Sequence, residues 1–248
     1  MTHSAKVAMV AALEREVRSL VKRWRSVERE YGGRDFKFFE CGQTVLVCGG
    51  IGSEAARRAT EAVIALFAPD LVLSVGFAGA LEPALKVGEI VSPSRVVDAN
   101  DGSSVGTGTG SGVIVSSSTI AGPEQKQKLA ESYGAQAVDM EAAAVARGAQ
   151  ARGVRFMAVK VISDESDFAM PTIDRFVDGK GQFQTGRFVI FSASRPWLWA
   201  GVIQLARNGA KASKALSAEL ERYITEAKKP EVSGPELHPI SKIINQGH

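Results

Sequence analysis

The chain has 248 residues, 45% of them hydrophobic, which is enough for one domain with a well-buried core. Thirty Lys and Arg against 27 Asp and Glu leave a net charge of +3. No dense basic patch with interleaved aromatics accompanies it, so no nucleic-acid partner is expected. Only Cys41 and Cys48 occur, and the histidines (His3, His238, His248) lie near the ends of the chain. Neither a disulfide framework nor a metal site is expected, and no organic cofactor is called for.

In chain order, Val7 to Ala12 reads as a strand and Glu16 to Trp24 as an amphipathic helix. The opening apolar run, Val7 to Leu13, meets charges at once. It is too short to span a bilayer and marginal as a signal peptide, so a cytoplasmic protein is expected. Phe36 to Glu40 and Thr44 to Cys48 form a hairpin pair through Cys41-Gly42-Gln43. Ser53 to Phe67 is a helix, Leu71 to Val75 a fully buried strand, and Glu89 to Val97 another. Residues 99–112, rich in Gly, Ser and Thr, read as a flexible loop. Val113 to Ser116 is a short strand, Glu124 to Tyr133 a helix, Ala137 to Asp139 a strand that runs into an alanine-rich helix, and Phe156 to Ile162 a strand. An aromatic stretch from Phe183 to Trp199 leads into a long helix from about Leu198 to Glu226. Strand and helix alternate throughout, which predicts an α/β fold: a single-domain, three-layer αβα sandwich around a central mixed sheet. The domain is expected over 1–227, with 228–248 as a polar tail.

Gly50-Ile51-Gly52-Ser53-Glu54-Ala55 matches G-x-G-x-x-A between a strand and a helix, as dinucleotide binding requires. The partner carboxylate belongs at the far end of the next strand, yet Asp70 precedes that strand and Gly76-Phe77-Ala78-Gly79 follows it. These glycines are better read as a close approach of backbone to a ligand or a neighbouring strand.

Three acidic clusters each stand just past a buried strand: Glu14-Arg15-Glu16, Asp139-Met140-Glu141 and Asp164-Glu165-Ser166-Asp167. In open α/β sheets, ligands bind at the carboxyl ends of strands. Asp139 as a helix cap and Glu141 and Glu16 as first-turn carboxylates are the plain structural alternatives.

Six segments carry a family resemblance: Ala11-Ala12-Leu13-Glu14-Arg15-Glu16, Cys48-Gly49-Gly50-Ile51-Gly52, Gly76-Phe77-Ala78-Gly79-Ala80-Leu81, Lys86-Val87-Gly88-Glu89-Ile90-Val91, Val138-Asp139-Met140-Glu141 and Ser163-Asp164-Glu165-Ser166-Asp167. Together, over residues 5 to 170, they resemble the nucleoside phosphorylase/nucleosidase superfamily, closest to its methylthioadenosine/S-adenosylhomocysteine nucleosidase branch. Cleaving an N-glycosidic bond needs an acid for the departing base, a carboxylate to activate water, and a grip on the ribose hydroxyls. The resemblance assigns these roles. Asp164 would protonate the purine at N7 with Ser163 in support, and Glu16 would activate water. Glu141 would clamp the 2′- and 3′-hydroxyls with Met140 packed on the sugar. Gly76, Phe77, Ala78 and Gly79 would line the sugar floor, and the backbone near Ile120 and Ala121 would meet the adenine edge.

Departures from that pattern sharpen the expectation. Phosphorylases of this superfamily place arginine two residues before the Gly76 position and a small hydroxyl residue at Phe77, to hold phosphate. This chain has Ser74 and Phe77, which favours hydrolysis unless Arg57, Arg58 or Arg95 substitutes. The segment from Asp98 to Val113, which resembles a cover over the 5′ end of the substrate, is short and glycine-rich. Arg175-Phe176-Val177-Asp178, Gly186-Arg187-Phe188 and Arg195-Pro196-Trp197-Leu198-Trp199 resemble the hopanoid-associated phosphorylases, a bacterial subgroup linked to adenosylhopane. Phe183, Phe188, Phe191, Trp197 and Trp199 would then line an apolar channel or touch a membrane surface; packing beneath the last helix is the alternative. The expectation is a nucleosidase for a 5′-modified adenosine with a bulky lipophilic 5′ group. It would act as a homodimer or larger homo-oligomer, in the cytoplasm or peripheral to the inner membrane. A housekeeping methylthioadenosine/S-adenosylhomocysteine nucleosidase, a phosphorylase and a nucleoside-binding sensor are the alternatives.

Overall fold

Strand β1 (Val7–Ala11) is a run of apolar residues buried almost throughout, and such a run needs a strand on each edge and cover on each face. It finds β4 (Thr44–Cys48) on one side and β5 (Leu71–Ala80) on the other, both parallel to it. The computed structural model describes residues 7–169 and 199–227. Within these, eleven strands form one mixed sheet. From β4 the sheet continues antiparallel through β3 (Arg34–Cys41) to β2 (Arg25–Tyr31). On the other side β5 pairs in parallel with β11 (Arg155–Asp164), and its last residues pair antiparallel with β10 (Ala137–Asp139). Beyond β10 lie β9 (Val113–Ser116), β7 (Arg95–Asp98) and β8 (Ser104–Gly106), while the short β6 (Ile90–Val91) pairs with β11.

Helices cover both faces. On one side, α2 (Ser53–Phe67) and α4 (Ala142–Gln150) press alanines such as Ala56, Ala59, Ala142 and Ala146 onto Val10, Val72 and Ala158. Small side chains let these helices approach the strands and each other closely. On the other side, α1 (Glu14–Val21) and α5 (Trp199–Ala227) enclose Met9, Leu46, Leu73 and Val161. Residues Ala212, Leu216, Leu220 and Ile224 recur every fourth position along α5, the spacing that places them on one helical face. Helix α3 (Pro123–Tyr133) closes a smaller cluster, with Leu129 against Val115 and Val138. The αβα sandwich with a mixed sheet is therefore the observed architecture.

Several boundaries differ from expectation for physical reasons. Helix α1 ends at Val21, and the charged stretch that follows is β2, an edge strand whose residues are exposed or half-buried. Charged side chains on an edge discourage pairing with other chains, and they also hide the alternation by which strands are recognised. The strand expected over Glu89 to Val97 is interrupted at Ser92-Pro93 into β6 and β7, since proline brings no N–H to a ladder. Strand β5 runs five residues further, through Gly76-Phe77-Ala78-Gly79 to Ala80, because β11 and β10 continue to pair with it there. The loop expected over 99–112 contains β8, folded back antiparallel on β7. The aromatic stretch from Phe183 to Trp197 and the tail from 228 lie outside the described residues.

Leu216 is fully buried between the sheet and α1, whereas Ile203, earlier on α5, is 50% exposed. Leu216→Ala should cost about 2–5 kcal/mol and Ile203→Ala less than about 0.5 kcal/mol, read from urea-denaturation midpoints.

Candidate active site

Glu16 lies in the first turn of α1, directly after β1, yet its side chain turns inward and the residue is 6% exposed. That excludes the plain reading of an exposed helix-start carboxylate. Its Oε2 has no hydrogen-bond partner. It occupies the space above Gly76, 2.8 Å from where a β-carbon would stand there. Gly76 also has φ +144°, so glycine is required twice over. Burial, reinforced by the nearby Glu141, pushes the Glu16 carboxyl up to about 7, against the pull of Lys160 and Arg15.

Lys160 is the centre of this charge cluster. It stands in the apolar strand β11, 1% exposed, with Nζ 2.7 Å from Asp139 Oδ2. Burial works against its charge, but Asp139, Glu141 and Glu16 outweigh that and raise its pKa. Asp139 is the hub that fixes the lysine. Its Oδ1 accepts from the Ser116 hydroxyl at 2.5 Å, and its Oδ2 also accepts from the Ala142 N–H at 2.9 Å. The Ser116 Oγ in turn accepts from the Ala143 N–H. The cap reading of Asp139 therefore holds, with an ion pair added to it.

Glu141 departs from the plain reading. It precedes α4 without capping it. Instead Oε1 accepts the Gly52 N–H at 2.8 Å and Oε2 the Met140 N–H at 3.3 Å. The glycine-rich turn before α2 thus serves to bring a backbone donor against this carboxylate, with Gly52 at φ +94°. Burial first, then the adjacent Asp139, lift the Glu141 carboxyl to about 7.

Asp164 ends β11 beside a register shift, 4% exposed. Its Oδ1 accepts from the Ser163 hydroxyl at 2.7 Å, and its Oδ2 is paired with Lys126 Nζ at 2.5 Å. Lys126, from α3, is itself buried and also donates to the Glu165 carbonyl at 2.6 Å. The pair meets over Gly79, where a β-carbon would stand 2.9 Å from Asp164 Oδ2 and 3.2 Å from Lys126 Cε. Glu16 thus stands against Gly76 and Asp164 against Gly79, two positions of the same strand.

The structure brings Glu16, Glu141, Lys160 and Gly76 together, and Asp164, Ser163 and Gly79 together further along β5. Ala78 is buried, whereas Phe77 is half-buried, with Cε2 3.7 Å from the β-carbon position of Gly209 on α5. Ile120 is half-buried and Ala121 buried in the turn between β9 and α3. Arg57 and Arg58 bond to Glu54 on the exposed side of α2, with Arg57 also reaching Glu61, and Arg95 is exposed at the start of β7. None of them meets Ser74, which is fully buried with an unpartnered Oγ. A groove of about 290 Å³ between α2 and α4, lined by Arg57, Arg147 and Arg152, includes none of the three clustered carboxylates. Among the described residues no group of three or more His, Cys, Asp or Glu could hold a metal ion. Sequence reasoning missed Lys160, Lys126 and the Gly52 donor. Lys160 carried a signal, a lone charge within Met157 to Ile162, whereas Lys126 sits among other charges on α3 and carried none.

Glu16, buried and with no partner for Oε2, costs stability once ionised. Its carboxyl rises from an ordinary 4.5 to about 7, so the penalty is absent below pH 4.5, grows between pH 4.5 and 7, and is complete above pH 7. Glu16→Gln should therefore stabilise the fold by up to about 3 kcal/mol at pH 8 and by little at pH 4, measured by denaturant titration at both pH values.

Comparison with known proteins agrees with this architecture. A 5′-methylthioadenosine/S-adenosylhomocysteine nucleosidase of Marinomonas is 34% identical over 95 residues, covering 37% of this chain and 41% of that protein. The chain thus matches about two-fifths of the length of that relative. A nucleosidase of the same description from Staphylococcus aureus is 27% identical over 197 residues, 64% of this chain and 86% of that protein. The crystal structure of the Helicobacter pylori enzyme of that description, solved in complex with a pyrrolopyrimidine-bearing pyrrolidinol, superposes with a TM-score of 0.67 at 19% identity. That superposition covers 90% of this chain and 99% of that one, and it carries the fold. The model of the Phosphorylase superfamily matches residues 6–116 and 107–184, and the chain belongs to that superfamily.

Proposed function

We propose that this chain is a nucleosidase that hydrolyses the N-glycosidic bond of a 5′-modified adenosine and releases adenine. The observation that carries this reading is the Glu16–Glu141–Asp139 cluster around the buried cation Lys160. Three carboxylates gather about this one buried ammonium, so acidic groups outnumber it. Such a site repels an anionic nucleophile and accepts a neutral one, which favours water over phosphate. The buried and uncharged Ser74 supports the same choice.

Each group has a task set by its surroundings. Glu16, held near 7 with an open Oε2, takes the proton of the attacking water, since a base works best with a pKa near the working pH. Glu141 accepts hydrogen bonds from the ribose 2′- and 3′-hydroxyls, its carboxylate already oriented by Gly52 and Met140 N–H groups. Met140 packs on the sugar, and Gly76, Phe77, Ala78 and Gly79 form the floor beneath it. The backbone near Ile120 and Ala121 meets the adenine edge. Asp164, oriented by Ser163, delivers a proton to N7 so that the purine leaves without negative charge. Separate places for Glu16 at Gly76 and Asp164 at Gly79 give the base and the acid different positions on β5.

Within this class the reading extends to a lipophilic 5′ group, with adenosylhopane as the concrete candidate. Phe77 makes the floor apolar, and α5 passes beside it, with Val202 and Leu205 half-buried and Ile203 exposed further along the same helix. The segment over 99–112 carries β8, paired antiparallel with β7, and its shortness would leave room for a bulky 5′ group. A housekeeping methylthioadenosine/S-adenosylhomocysteine nucleosidase accounts equally for the carboxylates, and the curated relatives support it directly. We assign catalysis to residues 1–227 with 228–248 as a tail. The chain would work as a cytoplasmic homo-oligomer whose aromatic segment touches the inner membrane.

Adenine release is the test, measured on methylthioadenosine and on a long-chain 5′-alkyl adenosine, with and without phosphate. Release without phosphate is expected, with preference for the alkyl substrate. Asp164→Asn should lower kcat by about 10²–10⁴ while nucleoside binding persists. Dependence on phosphate would make the chain a phosphorylase, preference for methylthioadenosine would return it to the housekeeping branch, and binding without turnover would make it a sensor.

A further inference from the structure

The leaving-group acid is held in a way that its proposed task does not explain by itself. Both oxygens of Asp164 accept hydrogen bonds, Oδ1 from Ser163 and Oδ2 from Lys126. The second interaction is an ion pair whose side chains are only 2% and 6% exposed. A carboxylate accepting on both oxygens has no proton of its own to give. The nearest one is on Lys126 Nζ, 2.5 Å away.

The placement of Lys126 is specific. It lies in the first turns of α3, a few residues past Ile120 and Ala121, whose backbone is assigned to the adenine edge. The stem passes over Gly79, where any β-carbon would crowd both it and Asp164. The Glu165 carbonyl gives Nζ a second acceptor at 2.6 Å, which fixes the ammonium in the one place where it meets Oδ2. A lysine needed only to cover α3 would project to solvent, as Lys128 on the same helix does. Burying an ion pair at this depth is costly or neutral for stability relative to apolar packing, so its retention calls for another reason.

We propose that Lys126 is the positioning residue that loads the leaving-group acid, passing its proton through Asp164 to the departing purine. This rests on the nucleosidase reading of the site. As the C1′–N9 bond breaks, its electron pair moves onto the purine, and the proton of Lys126 Nζ passes to the Asp164 carboxylate and on from it to N7. The oxygen of water bonds to C1′, and its proton goes to Glu16. Lys126 is left neutral and Glu16 protonated, and exchange with solvent returns one proton to the first and removes one from the second. Charge and atoms balance, and Asp164 ends as the carboxylate it was.

Lysine and arginine separate here. An arginine can keep the ion pair but cannot give up its proton. The test compares wild type, Lys126→Met and Lys126→Arg on methylthioadenosine and on the matching 4-nitrophenyl β-riboside, whose phenolate leaves without protonation. Both variants should lose at least about 100-fold in kcat on the nucleoside, with KM within about threefold. On the nitrophenyl riboside both should fall less than about threefold. In an Asp164→Asn background, Lys126→Met should add little further loss, because the two act in one step. Wild-type turnover by Lys126→Arg would reduce Lys126 to a fixed charge, and equal losses on both substrates would make it structural; either result overturns the proposal. Failure of the wild type to release adenine would instead overturn the nucleosidase reading on which it rests.

Discussion

One buried ammonium organises this molecule. Lys160 sits in the middle of a strand with apolar neighbours, where an unpaired charge would be prohibitively expensive. Asp139 pairs with it directly, while Glu141 and Glu16 share its field. Asp139 in turn fixes the start of α4 through Ala142 and the end of β9 through Ser116. The charge cluster is thus tied into the fold on three elements, and neither part could be changed without the other. Removing the lysine would leave three carboxylates facing one another in a dry environment. Removing the carboxylates would leave an uncompensated cation.

The sheet explains why these charges can meet. Strands β1, β10 and β11 each end at an acidic residue or deliver one within a few residues of the end. Strand β5 runs between β1 and β11, and its last residues turn to pair with β10. Its glycine-containing end therefore lies among the strand ends that carry these acidic residues. Gly76 admits Glu16, and Gly79 admits the Asp164–Lys126 pair. Two missing β-carbons on one strand therefore make room for two buried polar groups, and the apolar remainder of β5 keeps them dry. Raised carboxyl groups at Glu16 and Glu141 follow from the same dryness.

Much of this was legible in the sequence, and the reasons for the rest are local. Helix α2 was readable to the residue because Ser53 to Phe67 carries a clean helical periodicity. The β3–β4 hairpin was readable because Cys41-Gly42-Gln43 separates two apolar runs. Acidic residues after apolar strands gave the positions of Glu16, Asp139, Glu141 and Asp164, since strand ends are where open sheets present polar groups. What escaped was partnership. The Gly50–Gly52 motif announced a close approach of the backbone, but the group approached, Glu141, lies 89 residues away. Lys160 was visible as a misplaced charge, yet nothing local named Asp139 as its counter-ion. Lys126 was hidden among Glu124, Lys128 and Glu131 on a helix where charge is unremarkable. Strand β2 was hidden for a related reason, because an edge strand protected by charge lacks the alternation that identifies a strand.

The central claim is that Glu16, Glu141 and Asp164 face one nucleoside across the end of β5. A crystal structure of the chain with a non-hydrolysable 5′-thioadenosine analogue tests it most directly. The expected result is the ribose hydroxyls on Glu141, the purine N7 within hydrogen-bond reach of Asp164, and a water between Glu16 and the anomeric carbon. An analogue bound elsewhere, in the arginine-lined groove between α2 and α4 or with its ribose away from Glu141, would contradict it.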